Sequence, residues 1–389
     1  MPTGRASGTD EPPGRPAAWR GPLVEVDRLE WSATGTSTGT TTGHLRDLLD
    51  DFLSAHGLAG EPAAQSSSGQ TAVALLLGAD GCAALAGMPK GAASPVAVPD
   101  VVAVALRRAD RPAHPDTPAP AVGEWALSWT DAEHAAAVEK VREAIGRGDV
   151  YQANVVGHRS APSSGDPRAV ARRVATMAGA GAYAGMLSGA GWAVGSASPE
   201  QLVQVTGRRV TTVPVKGTRV ERPGAREELL VSTKDRAEHV MIVDLERNDL
   251  GRVAVTGSVT VERLYDVSRW AHLWHAGSTV AAELAAGATA LDVLTALAPG
   301  GSVTGAPKRA ACALLAGLEP VGRGPSMGAL GLLYPGGCDL GLTIRTVAVA
   351  DGRAHVWAGG GITWGSDPLA EVAEAHAKAA PVVAALSAP

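Results

Sequence analysis

The chain has 389 residues, with 34 Lys and Arg against 39 Asp and Glu, a formal net charge of -5 and 45% hydrophobic residues. This balance gives no basic surface for nucleic acid or anionic membrane, and no apolar run reaches the roughly 18 residues of a spanning helix. Three widely spaced cysteines, Cys82, Cys312 and Cys338, match neither a disulfide framework nor a zinc site. We therefore expect a soluble, cytoplasmic protein without nucleic-acid or membrane partners.

The front of the chain carries no motif that we can assign to chemistry. Residues 1–20 are rich in Pro, Gly and charge and predict a disordered tail. Hydrophobic patterning then predicts these elements: a strand at 24–31, a loop at 32–43, a helix at 44–56 and strands at 73–77 and 96–106. Four prolines within 111–123 indicate a stiff linker. We divide the chain into a tail (1–20), a divergent N-terminal portion (21–125) and a catalytic portion (126–389).

The catalytic portion begins with a capping box, Thr130 to Glu133, which predicts a helix to about Arg147. Further strands are predicted at 192–196, 202–205, 253–261, 329–334, 339–350 and 353–358. Further helices are predicted at 226–249, 289–297 and 306–316 and from 368 onward. Runs of strands separated by occasional long helices indicate an α+β fold.

Residues 213–253 contain the highest density of candidate catalytic and binding residues. Lys216 follows a β-branched run and precedes Gly217, which places an amine at the end of a strand. The helix predicted after it brings Asp235, Glu238 and Ile242 to one side. Taken alone, such an acidic helix face is most often a solvated surface.

The order of these residues resembles a known family. The run Lys-Asp-Arg-Ala-Glu-His-Val-Met-Ile-Val-Asp-Leu-Glu-Arg-Asn-Asp-Leu at 234–250 is similar to a signature of the chorismate-utilising enzymes, among them anthranilate, aminodeoxychorismate, isochorismate and salicylate synthases. The resemblance covers about residues 130–385 and implies the family's fold, two facing β-sheets flanked by helices. In that family the residue before Gly217-Thr218 is usually Ala in anthranilate and isochorismate synthases and Lys in aminodeoxychorismate synthases. Here it is Lys216.

The resemblance implies three catalytic residues. Lys216 matches the lysine taken to add to ring C2 of chorismate, which requires an unprotonated amine and hence desolvation or nearby cations. Glu200, in Ser-Pro-Glu at 198–200, matches the acid that protonates the departing C4 hydroxyl, a role that needs a raised pKa. His275, in Trp-His-Ala-Gly-Ser-Thr-Val, matches a histidine near the substrate. We assign His272 a structural role.

The nucleophile is further indicated by Gln152. Isochorismate and salicylate synthases carry at this position the lysine that activates water, and a neutral amide cannot take that proton. An amine product is therefore expected.

A magnesium site is implied on two helices. Glu238 and Glu374 match the family's metal ligands, and spacing puts Glu371, Glu374 and Lys378 on one face of the C-terminal helix, which Asp367 is expected to cap. We place Glu371 in the metal site as well. Carboxylate oxygens suit magnesium, whose remaining positions go to water and substrate.

The carboxylates of chorismate are expected to bind at matched positions elsewhere. Gly-Ser-Val-Thr-Gly-Ala-Pro-Lys at 301–308 is predicted to open a helix, with Pro307 in its first turn and free amides that bind an anion, including those of Thr304 and Gly305. The other residues expected to bind substrate are Gln152, Arg345, Gly359, Gly360, Gly361 and Lys378.

The chain departs from the family pattern at two places. Ser326 stands where an aromatic is usual, and Thr-Trp-Gly-Ser at 363–366 replaces Val-x-Asp-Ser. Either change can reshape the pocket or its lid.

These matches predict the component I type of aminodeoxychorismate synthase, acting on chorismate and ammonia with Mg²⁺. The chain is too short for a fused glutamine amidotransferase, so a separate amidotransferase subunit is the expected ammonia source. Anthranilate synthase component I is the nearest alternative, disfavoured by Lys216 and by the lack of a Leu-Leu-Glu-Ser run. A non-catalytic chorismate-binding partner is a second alternative, which a missing catalytic carboxylate would favour, and none is missing.

Overall fold

The computed structural model describes residues 23–33, 42–62, 71–108, 120–270 and 273–387. The predicted tail, most of the first predicted loop, much of the proline-rich linker and His272 lie outside these ranges. Within them the chain forms an α+β fold of two antiparallel sheets and nine α-helices, as predicted. None of the described helices combines the length and the hydropathy needed to cross a membrane.

The helices are α1 (Thr42–Ala55), α2 (Ala79–Ala86), α3 (Asp131–Arg147), α4 (Pro167–Ala175), α5 (Ala225–Val231), α6 (Thr233–Gly251), α7 (Ala290–Leu297), α8 (Lys308–Ala316) and α9 (Pro368–Ser387). The strands are β1 (Leu23–Trp31), β2 (Thr71–Leu77), β3 (Val101–Arg108), β4 (Ala121–Val122), β5 (Ala126–Leu127), β6 (Gln152–Ser164), β7 (Tyr183–Gly189), β8 (Trp192–Ser198), β9 (Gln201–Thr206), β10 (Arg209–Val213), β11 (Val215–Val220), β12 (Thr260–Trp270), β13 (Leu273–Glu283), β14 (Gly305–Ala306), β15 (Ala329–Tyr334), β16 (Gly337–Leu342), β17 (Thr346–Ala350) and β18 (Arg353–Ile362).

The larger sheet joins the N-terminal portion to the catalytic portion. Its strand order is β1-β3-β2-β15-β16-β9-β10-β13-β11, with β12 also paired to β13. The central junction pairs β2 with β15, from Leu77 opposite Ala329 to Val73 opposite Leu333. The smaller sheet runs β14-β6-β18-β17-β8-β7, and β4 and β5 pair with β6.

The main hydrophobic core lies between the two sheets. It takes Val203 and Leu340 from the larger sheet and Val194, Ala348 and Trp357 from the smaller one. A second cluster packs α4 and α9 against the other face of the smaller sheet. Two-sided burial explains why β8, β16 and β17 read as continuous buried runs instead of alternating ones.

Helix boundaries follow local capping chemistry. The predicted capping box is present, since the Glu133 amide donates to Thr130 Oγ1 and the Thr130 amide donates to Glu133 Oε2. The Ala370 amide donates to Asp367 Oδ1 at 2.8 Å, which supports the expected cap of α9. The predicted helix over 226–249 is instead two helices, because Ser232 is extended and its hydroxyl caps α6 by accepting from the Asp235 amide.

Three strand predictions were wrong in their extent. The run predicted at 96–106 is a strand only from Val101, where β3 begins. The run 339–350 forms β16 and β17, which belong to different sheets, because the chain turns at Arg345 with φ of 49°. The run predicted at 253–261 begins as turns, and β12 starts only at Thr260, beyond Gly257 at φ 84°.

Candidate active site

A single cavity of about 880 Å³ collects most of the predicted site residues. Its wall includes the turn between β8 and β9, strands β11, β12, β13 and β18, and helices α6 and α9. The predicted residues that line it are Glu200, Lys216, Glu238, His275, Arg345, Gly359, Gly361, Glu371, Glu374 and Lys378. Gln152, Thr304, Gly305 and Gly360 are not in its wall.

Lys216 sits near the start of β11, where Gly217 adopts φ of 83°. This positive φ favours glycine, and a Cβ at this position would also stand only 2.8 Å from Leu229 Cδ1. Lys216 Nζ lies 3.5 Å from the carbonyl oxygen of Ser302. Burial lowers the pKa of Lys216, Lys378 lowers it further, and Glu200, Glu238 and Glu374 partly oppose the shift. The shift favours the neutral, nucleophilic amine.

Glu200 provides a buried carboxyl beside that amine. Its side chain is 8% exposed, and its Oε1 has no hydrogen-bond partner among the described residues. Burial raises the pKa of Glu200, while Lys216, the Ser302 hydroxyl and the Val215 amide act in the opposite direction. A raised carboxyl pKa and a lowered amine pKa in one cavity both favour the neutral forms, which an acid and a nucleophile require.

Gln152 lies directly behind the cavity wall. Its side chain is fully buried, and neither amide atom has a hydrogen-bond partner among the described residues. A Cβ added to Gly361 would collide with Gln152 Nε2 and stand 3.3 Å from Lys216 Nζ. Gly361 therefore leaves the space in which the amide of Gln152 and the amine of Lys216 approach one another.

His275 and Arg345 provide polar groups at another part of the wall. His275 Nδ1 lies 2.9 Å from Thr218 Oγ1, and burial, with a contribution from Arg345, lowers the pKa of His275 to about 4. The imidazole is therefore neutral at pH 7. Burial also lowers the pKa of Arg345, although this guanidinium keeps its charge and remains an anion-binding group.

Three carboxylates face the cavity from two helices. Glu238 comes from α6, and Glu371 and Glu374 come from successive turns of α9. Glu374 Oε1 lies 2.6 Å from Lys378 Nζ, which also donates to the Gly359 carbonyl at 3.0 Å. No three acidic, His or Cys side chains are close enough to form a ready metal cluster in the described ranges. The carboxylate oxygens fit a hard ion such as magnesium, which takes few protein ligands.

The expectation for 301–308 was wrong in detail. Gly301–Val303 is a short 3₁₀ turn, β14 follows, and α8 starts only at Lys308, with Pro307 as its N-cap residue. The amides at the start of α8 therefore do not face the cavity, whose wall here is Ser302 and Val303. The backbone of Gly305 pairs with Ala153 of β6, and Thr304 Oγ1 donates to the Gly300 carbonyl at 2.8 Å.

Two buried ion pairs brace this segment. Lys308 Nζ lies 2.6 Å from Asp249 Oδ2 and links α8 to α6. Arg323 pairs with Glu319 at 2.6 Å and donates to the carbonyls of Val303 and Asn154.

The pattern did not single out several cavity residues, among them Asn154, Ser302, Met327 and Trp357. Asn154 and Ser302 lie within the runs matched to the family, and this position was the signal that could have identified them as cavity residues. Met327 and Trp357 are apolar residues of strands and turns, and nothing in the sequence distinguishes them from core. At the two family departures, Ser326 Oγ donates to the Thr343 carbonyl and Trp364 is 63% exposed.

The family model described as chorismate binding enzyme matches residues 86–384. Anthranilate synthase component 1 of Streptomyces coelicolor is 43% identical over 258 residues, 64% of this chain and 50% of the relative. Aminodeoxychorismate synthase component 1 of Salmonella typhimurium is 38% identical over 269 residues, 67% of this chain and 59% of the relative. The chain thus spans little more than half the length of these relatives.

The fold has a counterpart among solved structures. Anthranilate synthase component I from Streptococcus pneumoniae superposes with a TM-score of 0.74, over 96% of this chain and 95% of that one, at 23% identity. The menaquinone-specific isochorismate synthase MenF from Escherichia coli superposes with a TM-score of 0.64. At these identities the likeness concerns the fold.

Proposed function

Because the chain belongs to the chorismate binding enzyme family, we propose that it is an aminodeoxychorismate synthase component that converts chorismate and ammonia to 4-amino-4-deoxychorismate and water. The observation that carries the proposal is that Lys216 and Glu200 line one cavity, where burial shifts the pKa of each toward the neutral form that an amine nucleophile and a carboxylic acid need. The family resemblance assigns a lysine at this position to this reaction.

The two residues account for both bond changes. The Lys216 amine adds to C2 as the C4–O bond breaks, and Glu200 gives its proton to the departing oxygen, which leaves as water. Ammonia then adds to C4 and expels the Lys216 amine from C2, and the proton lost by the new C4 amine returns to Glu200. The lysine and the acid are thus restored at the end of each turnover.

Other groups in the cavity bind and orient chorismate. Arg345 and Lys378 are the cations suited to its two carboxylates, and the glycines of β18 leave room for the ring. Gln152 cannot act as a base toward water, which supports ammonia over water as the final nucleophile.

Glu238, Glu371 and Glu374 are the residues that would hold magnesium. The ion would neutralise a carboxylate of chorismate and so fix the ring against the wall. We propose that a separate glutamine amidotransferase subunit supplies ammonia.

Anthranilate synthase component I is a second candidate. It is supported by relatives of that name at 36% to 45% identity, against 35% to 38% for relatives named aminodeoxychorismate synthase component 1. Anthranilate would require amination at C2, the carbon that the Lys216 amine takes in our scheme. Lys216 is therefore the residue on which the two candidates differ.

Product identification separates them. The pure chain, incubated with chorismate, Mg²⁺ and ammonium, should release 4-amino-4-deoxychorismate, identified by liquid chromatography and mass spectrometry. Lys216→Ala removes the amine and should abolish this product. Anthranilate as the main product of the unmodified chain would refute the proposal in favour of the second candidate.

A further inference from the structure

Glu246 is a buried carboxyl outside the cavity wall. It lies on α6, the helix that carries Glu238, but its side chain is only 4% exposed. Thr212 Oγ1 donates to Glu246 Oε2 at 3.5 Å. On the other side, a Cβ at Gly301 would stand 3.2 Å from Glu246 Oε1, and the Gly301 amide donates to this carboxyl. Glu246 therefore contacts β10 and the 301–303 turn at once.

These two segments carry or touch both reacting groups. Thr212 lies four residues before Lys216 on the same path of chain. Gly301 precedes Ser302, whose carbonyl oxygen lies 3.5 Å from Lys216 Nζ and whose hydroxyl bonds to Glu200. Glu246 is thus connected to the acid through the Ser302 hydroxyl, and to the amine through the Ser302 carbonyl and β10.

The charged groups that face Glu246 come from three elements. Asp249 lies one turn further along α6, Lys308 comes from α8, and Glu200 comes from the turn between β8 and β9. Lys308 is held by its ion pair with Asp249, so it cannot also fully neutralise the charge of an ionised Glu246. Burial raises the pKa of Glu246 to about 8, Asp249 and Glu200 raise it, and Lys308 and the Gly301 amide lower it. The side chain is therefore mostly protonated at pH 7.

Building on the proposed function, we propose that Glu246 is a positioning residue whose proton keeps Glu200 and Lys216 in their reactive states. Protonated, it holds β10 and the 301–303 turn without adding charge. Ionised, it adds a buried negative charge near Glu200, in addition to that of Asp249. That charge disfavours the transfer of the Glu200 proton to the leaving oxygen and favours the protonated, unreactive form of Lys216.

The test is the pH profile of chorismate consumption by the full chain with Mg²⁺ and ammonium. Unmodified protein should lose activity above about pH 8, with a fall of about tenfold by pH 9 for a single ionisation. In Glu246→Gln this basic limb should disappear, and activity at pH 9 should stay within about threefold of the plateau. Asp244→Asn, a change of an exposed carboxylate on the same helix, should keep the unmodified profile.

A purely structural role gives a different result. Glu246→Gln would then lower activity by the same factor at every pH, and superimposable or uniformly scaled profiles would overturn the proposal. Thr212→Val, which removes a donor to Glu246 Oε2 at nearly constant volume, offers a second variant and should move the basic limb to higher pH. Consumption of chorismate is followed whatever the product, so a product other than 4-amino-4-deoxychorismate refutes the proposed function alone.

A measurement without turnover tests the same ionisation. A carboxyl whose pKa is raised on folding contributes stability that is complete below its unfolded value near 4.5 and is lost as pH rises toward 8. The melting temperature of unmodified protein relative to Glu246→Gln should therefore fall between about pH 5 and pH 8 and level off above. A difference that is constant across this range would contradict the inference even if the chain consumed no chorismate.

Discussion

At the scale of single residues, the site depends on two groups, Glu200 and Lys216, whose pKa values are shifted by burial toward their neutral forms. Glu200 is 8% exposed and Lys216 lines the same cavity, so burial removes the water that would stabilise either group in its charged form. Sequence motifs identified both residues as candidates for catalysis. The opposing shifts of their pKa values depend on burial, which only the folded chain provides. Glu246 shows the limit clearly, because its local sequence gives no sign that it lies between β10 and the 301–303 turn.

The acid is tested by Glu200→Gln, which keeps the shape of the side chain but removes its proton. We expect kcat/KM to fall by about 100-fold or more, since general acid catalysis commonly contributes that much. Chorismate binding and the melting temperature serve as controls and should change little. Activity within a few-fold of the unmodified protein would remove Glu200 from the mechanism.

The metal proposal is tested at Glu238 and Glu374. Each change to Gln should weaken magnesium and chorismate binding together, because the ion would link protein carboxylates to the substrate. Calorimetric titration of Mg²⁺ with and without chorismate measures the coupling. Glu139→Gln, on the exposed surface of α3, is a matched control. Full turnover in excess chelator would contradict a role for the metal.

At the scale of elements, strands bring distant motifs together and small residues set their spacing. Periodicity and capping predicted α3, α7 and α9 closely, because their Thr or Asp caps act locally. The break at Ser232 was missed because the apolar stripe continues past a Ser that acts as a local N-cap, and the sheet change was missed because nothing in the local sequence signals the positive φ of Arg345. Ser302 and Val303 of the 301–308 motif line the cavity, but α8 begins only at Lys308, so the amides at its start are not in the cavity wall.

Gly361→Ala tests how closely β18 approaches the amine. The added methyl group meets Gln152 Nε2 and crowds Lys216 Nζ, so we expect at least a tenfold loss of activity. Overpacking should also cost about 1–3 kcal/mol in the free energy of unfolding. Gly365→Ala, with no atom within 4 Å of its added Cβ, is the matched control and should retain activity. Equal behaviour of the two variants would contradict the proposed close approach.

At the scale of the whole molecule, the two portions predicted from sequence share one sheet. The resemblance began near residue 130, but β2 pairs with β15 along five residue pairs, and the matched family region starts at residue 86. The family and the α+β fold were predictable because the motifs are numerous and ordered. The strand order was not, because it depends on pairing between strands far apart in the sequence, such as β2 with β15 and β8 with β17.

The continuous sheet predicts cooperative unfolding of the described portions. Differential scanning calorimetry should give one transition in which calorimetric and van't Hoff enthalpies agree. Far-ultraviolet circular dichroism and tryptophan fluorescence should report the same midpoint. Two separated transitions would show that β1, β2 and β3 form an independently stable unit.

The central claim is that the Lys216 amine forms a bond to the substrate. The pure chain should be incubated with chorismate and Mg²⁺ in the absence of ammonia, then studied by intact-mass spectrometry and peptide mapping. We predict an adduct on the peptide that contains Lys216, absent from Lys216→Ala and discharged from the unmodified protein when ammonium is added. An unmodified Lys216 peptide under every ammonia-free condition, in protein that turns over chorismate once ammonium is supplied, would contradict the claim.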